Sequence, residues 1–572
     1  MQGAAKTTME KMGQENTLKN GNSDEVYSSL VLATLPPWGV ESPSIGLGYL
    51  DSYIRGKGVN SEVYDFNIYF HNSAPDEYKM LWHIENKNYW SNEKTFPLVC
   101  KLFEKEIDYA VKKILSSPAR LVGFSVVDPK ERITIEVIRR VKEKDPRKKI
   151  ILGGPACSTE EQRGFFTDNL PEGNVDYFVV GEGEETLYEI IKSNPSDSNN
   201  LPGTAYKEGG IWKSASRGLI EPLDSIPFPD YRAFDLNQYV SPNTILVEWS
   251  RGCLGHCSFC KNYRLVQGYR RRSPENIIKE LLFLRDRYRI DSFTVCDNLM
   301  NGDPLQLEGV CEGMIRNNLE MSWSGQIAPH RRMHEGLFVK MRRAGCSRIQ
   351  IGVESGSDSV LKMMKKPYSS EVAEENIKAA KKAGMETEIF IIVGFPGEGE
   401  NEFGKTVNFI RKNHRYLDTI KSINTLHLIA GTEVYEKPGN FNLAPLPKQD
   451  WHYLWESLDG NNYAKRKKRA EELLDLASSL GLKVQETNIQ EGKEAPLSVA
   501  RGLSEQDKNA ILKDSLVSLQ ELPSRGRSSG KKRGILSWLL LVFLLFYIMV
   551  YIMYFWILMS LGGRVILGGR KK

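Results

Sequence analysis

From Thr244 to Leu428 the chain repeats one unit, a short apolar run followed by an amphipathic helix. The runs are Thr244 to Ser250, Ser292 to Cys296, Met321 to Ile327, Arg348 to Val353, Glu386 to Val393 and Ser422 to Leu428. The helical stretches between them begin at Pro274, Pro304, Glu335, Ser370 and Asn401. Adjacent parallel strands need crossovers, and helices supply them. The alternation therefore predicts an α/β fold with a partial (β/α)6 barrel over residues 241–435. Barrels keep their chemistry at the C-terminal ends of the strands. Those ends carry Asp297-Asn298, Glu354-Ser355 and Gly394-Phe395-Pro396-Gly397.

The first of these strands leads into Arg251-Gly252-Cys253-Leu254-Gly255-His256-Cys257-Ser258-Phe259-Cys260, a CxxxCxxC loop. Cysteine thiolates are the usual ligands of iron–sulfur clusters, and a closed shell takes four. Cys253, Cys257 and Cys260 with no fourth cysteine nearby would hold three corners of a cubane and leave one iron open to chemistry. Closed zinc sites want four ligands, commonly in two separated pairs, and His256 between two cysteines is awkwardly placed to be the fourth. Eight cysteines in 572 residues, three of them clustered, do not make a disulfide framework and fit a reducing compartment.

Before the barrel, strand-like runs at Ser28 to Leu35, Val59 to Phe66, Leu121 to Val127, Ile150 to Pro155 and Tyr177 to Val180 alternate with helical stretches. This predicts a Rossmann-like parallel sheet over residues 26–195, with a helical, aromatic insertion from His71 to Pro118. Ligands of such sheets lie beyond the C-terminal strand ends. The loops there are Pro36 to Ser44, Ser125 to Asp128, Gly153 to Ala156 and Gly181 to Glu184. Candidate binding residues are accordingly Ser125, Gly153, Gly154, Gly181 and Glu182. Residues 196–240 read as a linker with a small hairpin, and 1–25 as a polar, disordered start.

Residues 436–500 form a C-terminal accessory region with a basic helix pair, and 501–533 a polar tether. Ile535 to Leu561 is an uncharged run of 27 residues. As a helix it would span about 40 Å, enough for a hydrocarbon core of about 30 Å. A transmembrane helix at 534–562 is expected, a single-pass C-terminal anchor with the catalytic part cytoplasmic. A net charge of +5, with basic residues concentrated near the C-terminus, gives no footprint for nucleic acid.

CxxxCxxC with an aromatic before the last cysteine resembles the signature of radical S-adenosylmethionine (SAM) enzymes. Ile351 to Ser357 is similar to that family's fourth-strand segment, which contacts the ribose and carboxylate of SAM. Phe390 to Glu398 resembles the fifth-strand segment near its adenine, and Cys296-Asp297-Asn298 stands where the second-strand element meets its amino group. The resemblance implies a 4Fe-4S cluster on Cys253, Cys257 and Cys260. It implies SAM held by Glu354, Ser355, Asp297, Asn298, Gly394 and Pro396, and a one-electron donor such as flavodoxin or ferredoxin.

The N-terminal region, through Gly46 to Leu50, Gly153-Gly154-Pro155 and Val180 to Glu184, resembles the cobalamin-binding domain of one branch of that superfamily. The DxHxxG motif of cobalamin domains at large is absent. The expected reaction is cobalamin-dependent methylation of an unactivated carbon on a small-molecule or lipid substrate. Radical cyclisation, rearrangement or coupling is an alternative, and a non-catalytic iron–sulfur electron carrier is a third reading.

Overall fold

A computed structural model describes residues 29–489, apart from 84–85, 194–200, 209, 263–265, 267 and 446–452. Two seven-stranded sheets organise it. The first contains β1 (Ser29–Thr34), β2 (Asn60–Asp65), β3 (Leu121–Ser125), β4 (Lys149–Gly153), β5 (Tyr177–Val179), β6 (Thr204–Glu208) and β7 (Ile211–Ser214). Their spatial order is β2-β1-β3-β4-β5-β6-β7. β1 to β5 pair in parallel, while β6 and β7 join antiparallel. The hairpin expected inside a linker is thus the edge of this sheet. β1 and β3 are almost continuously buried, as strands covered on both faces are.

Period-two alternation divides the sheet's two faces. Val31, Ala33 and Val122 pack with Trp90, Phe103 and Ile107 of the aromatic insertion. Leu30 and Leu32 pack with Leu47 and Ile54 of the helix Ile45–Gly56, in one core that continues to Tyr231, Ile245 and Val247. That helix begins where the Ser44 hydroxyl accepts the Leu47 amide at 3.4 Å.

Next in the chain come β8 (Thr244–Val247) and the short antiparallel pair β9 (Ser250–Arg251) and β10 (Arg270–Arg271). The second sheet continues with β11 (Ser292–Val295), β12 (Ser322–Ile327), β13 (Cys346–Glu354), β14 (Glu386–Val393), β15 (Thr419–Thr425) and β16 (Lys483–Thr487). It runs β16-β15-β14-β13-β12-β11-β8, parallel throughout. This corrects the six-strand expectation. β16 is a seventh strand, paired on one side only, and its sequence KVQET carries no apolar run to announce it. The expected basic helix pair is one helix, Tyr463–Ser479, which packs on β15 and delivers the chain to β16.

The C-terminal membrane anchor is also corrected. Among the described residues no helix is long and apolar enough to cross a membrane. Residues 534–562 lie outside the described residues, as do 1–25 and the tether.

Candidate active site

The cysteine loop is shaped by its backbone. Gly252 has φ +86°, and any side chain there would run into the Gly268 carbonyl, so the turn into Cys253 admits only glycine. The Ser258 amide and hydroxyl donate to the carbonyls of Met364 and Met363 at 3.1 and 3.0 Å, and the Val434 amide donates to the Ser258 carbonyl at 3.0 Å. The loop is thereby pinned to two barrel segments distant in sequence.

The donor set suits a cluster. The Gly255 amide donates to Cys253 Sγ at 3.3 Å and the Asn262 amide to Cys260 Sγ at 3.4 Å. Such bonds stabilise thiolates and tune cluster potentials. A side chain at position 255 would begin 3.4 Å from Cys253 Sγ and 3.6 Å from Cys257 Sγ, so both sulfurs border the space that this glycine leaves open. Burial pushes the Cys257 and Cys260 thiols above their ordinary range, with Lys366 opposing at Cys257 and the Asn262 amide at Cys260. Among the described residues no three His, Cys, Asp or Glu side chains converge on a single ion. Three thiolates that each take a different iron of a cubane need not converge.

Beside the loop lies Glu354, at the end of β13. It is buried and has φ +65°, a left-handed conformation rare for a side chain of this kind. Its Oε1 accepts from Lys366 Nζ at 2.9 Å. Lys366 also sits 5.1 Å from the centre of the Phe259 ring. Burial opposes its charge, yet Glu354, Tyr368 and Cys257 around it hold the ammonium well above the ordinary lysine range.

The other barrel candidates are spoken for by protein. Asp297 accepts the Trp249 amide at 2.8 Å and the Ser250 hydroxyl at 2.6 Å, so its two oxygens hold the turn that precedes the cysteine loop. Ser355 is buried against Thr406 at 3.2 Å. Gly394 turns at φ +73° with the Arg466 side chain stacked on it, and Pro396 is buried. Asn298 remains available at the loop, its Oδ1 accepting from Asn262 Nδ2 at 2.9 Å.

A cavity of about 460 Å³ lies where the C-terminal ends of both sheets meet. It is lined by Ser125, Gly153, Gly154, Gly181 and Glu182, with Asn262 and Asn298 contributed from the cysteine-loop side. Its wall is otherwise largely apolar, including Leu32, Leu47, Phe124 and Ile151, and no histidine lines it. The sequence candidates of the first sheet are thus brought together. Glu354, Ser355, Asp297, Gly394 and Pro396 do not line this cavity.

Glu182 is no free ligand. Arg270 binds it at 2.8 and 3.0 Å and Arg251 at 3.0 Å. Burial alone would raise its pKa, but the two guanidinium groups outweigh that and lower it. Arg251 also reaches Glu184 and Glu248, each at 2.7 Å. Sequence reasoning missed Arg251 and Lys366. The first had a signal, a lone cation two residues before the first cysteine of the loop. The second had none, since Lys365-Lys366 after a helix reads as a solvated end.

The family model of the radical SAM superfamily matches residues 247–410. Over that stretch the chain is similar to the radical SAM superfamily. The matched radical SAM stretch begins at the last residue of β8 and takes in the cysteine loop and the ends of β11, β13 and β14.

The chain is 25% identical over 399 residues to an uncharacterized methyltransferase of Pyrococcus horikoshii, covering 67% of this chain and 78% of that one. It is 24% identical over 318 residues to an anaerobic magnesium-protoporphyrin IX monomethyl ester cyclase of Rubrivivax gelatinosus, covering 53% of this chain and 56% of the cyclase. In fold it is similar to the cobalamin-dependent SAM radical enzyme OxsB with aqua-cobalamin bound. That likeness has TM-score 0.60 and 16% identity, and covers 87% of this chain and 72% of OxsB.

Proposed function

We propose that this chain is a cobalamin-dependent radical SAM methyltransferase acting on an unactivated carbon of a small-molecule substrate. The observation that carries the reading is the cavity where the loops of the first sheet meet the cysteine loop. Its glycine-rich floor and apolar wall suit a broad, flat ligand whose polar edge is met by backbone groups. The first sheet would hold the corrinoid through Ser125, Gly153, Gly154 and Gly181. Likeness to the methyltransferase of Pyrococcus horikoshii and to the fold of OxsB supports the same reading.

When bound, the cluster with SAM supplies a carbon-centred radical, and the corrinoid supplies a methyl group. The chain's own residues bind, orient and exclude water. Cys253, Cys257 and Cys260 anchor the cluster, and Lys366 places a buried positive charge beside Cys257 and Glu354. Glu354 and Asn298 are the polar groups best placed to orient SAM. Asp297 acts through the backbone it holds, and Gly394 and Pro396 shape the fifth-strand turn.

Anaerobic reconstitution with iron, sulfide, SAM and reductant should release 5′-deoxyadenosine, and protein purified with cobalamin should carry a stoichiometric corrinoid spectrum. An intact cluster that cleaves no SAM would end the enzyme reading. The match to a cyclase favours one second reading, radical cyclisation. Cleavage without bound corrinoid would select it over methyl transfer.

A further inference from the structure

We propose that a basic cleft walled by the segment to which the cysteine loop is pinned is the docking site of an acidic one-electron donor protein. The inference rests on the radical SAM reading, which requires one electron from outside. The cleft, of about 580 Å³, is lined by His330, Arg331, Lys362 and Lys366 against a single carboxylate, Asp358. Asp358 is engaged, its Oδ1 accepting the Ser370 amide at 2.7 Å. Arg331 and Lys362 are exposed, and no carboxylate among the described residues pairs with either. Arg332, next in the chain, is exposed as well.

Position makes this charge useful. The segment from Lys362 to Tyr368 that forms one wall of the cleft is the segment to which the cysteine loop is pinned. The Met363 and Met364 carbonyls take the Ser258 hydroxyl and amide at 3.0 and 3.1 Å. Lys366 borders the cleft and also faces Phe259 and Cys257. A protein seated here is separated from the cysteine loop by one peptide segment. The cavity at Ser125 and Gly153 shares no lining residue with this cleft. Another cleft, at Met321 and Gly345, lies at the far, N-terminal ends of β12 and β13. The basic cleft thus gives an electron a short entry that does not use the residues lining the cavity.

The transfer balances simply. The donor, an acidic flavin or iron–sulfur protein, is oxidised by one electron and the cluster is reduced by one, with no atom transferred. Weak redox encounters bury little surface and depend on charge complementarity for their association rate.

The test uses the reconstituted full chain and its Arg331→Glu/Lys362→Glu double variant. Neither residue is among those assigned above to the cluster or SAM, so 5′-deoxyadenosine formation driven by dithionite should match the parent, which also shows that the variant folds. Bleaching of the cluster absorbance by a reduced acidic flavodoxin should slow by about tenfold or more at low ionic strength. The gap should close as salt rises. Equal rates for variant and parent overturn the proposal, as does a deficit that salt does not change. Saturable binding of inorganic phosphate at the cleft that leaves flavodoxin reduction untouched would mark a small-anion site and overturn it too. A parent protein whose cluster is reduced but releases no 5′-deoxyadenosine would instead sink the radical reading, and the bleaching rates would still decide the docking site.

Discussion

Arg251 Nη2 donates to Glu184 Oε1 at 2.7 Å, tying the strand-end loop of the first sheet to the residue two places before Cys253. The same guanidinium holds Glu182 and Glu248, so one cation serves three largely buried carboxylates. The two cofactor-side loops are therefore positioned by one electrostatic node. Removing a partner from a buried ion pair costs about 3–5 kcal/mol, because the charges left behind have lost their water. Arg251→Met should lower unfolding stability by about that amount, with a smaller loss for Arg251→Lys. Thermal or denaturant unfolding checks this, and a variant within 1 kcal/mol of the parent would deny the node its role.

Glu354 and Lys366 form the second coupled pair, both nearly buried, with the glutamate in a left-handed backbone. Lys366→Met should destabilise by about 3 kcal/mol by stranding Glu354. Glu354→Gln/Lys366→Met should regain most of that stability, since neither charge then remains buried alone. SAM affinity, measured by calorimetry on the cluster-loaded protein, should stay weak in both. Recovery of SAM binding in the double variant would make the pair structural only.

Gly394 turns at φ +73° under the side chain of Arg466, which donates to the carbonyls of Asn461, Tyr453 and Trp455 and stacks 3.6 Å over the Trp455 ring. A β-carbon here meets both a backbone penalty of about 1–2 kcal/mol and a side chain that cannot swing away. Gly394→Ala should cost about 3 kcal/mol or more. Gly181→Ala makes the control. Its φ is +85° but its surroundings are open, so only the backbone term applies. Equal losses in the two variants would show that the packing of Arg466 contributes nothing.

The parallel strands of both sheets were legible because strands buried on both faces read as apolar runs, as β1 and β3 of the first sheet and β14 of the second do. The cysteine loop was legible because its three cysteines lie within eight residues of sequence. β16 was not, since a mostly polar edge strand gains its place from its partner β15 and not from its own pattern. The pairing of Arg251 with Glu184 and the covering of Gly394 by Arg466 were hidden for another reason. Each is a contact between residues far apart in the chain, which a local pattern does not encode. Asp297 shows the converse failure: a polar residue at the right strand end, yet turned to the backbone of Trp249 and Ser250.

That orientation of Asp297 has a pH signature. Burial is the largest influence and, over the hydroxyl and amide donors, pushes its pKa up to about 7, from about 3.9 in an unfolded chain. A carboxyl whose folded pKa is raised favours the folded state while protonated. Its contribution is full below about pH 4 and is lost as pH rises through about 7, at most about 4 kcal/mol in all. Asp297→Asn keeps an oxygen for the Trp249 amide and gives the Ser250 hydroxyl, now an acceptor, an amide donor. It removes the titration. Between pH 5 and pH 8 the parent should lose stability relative to Asp297→Asn, the curves converging toward the acid end. Denaturant unfolding at stepped pH measures this. Parallel curves across that range would mean that Asp297 is ionised throughout, and that its two donors outweigh its burial.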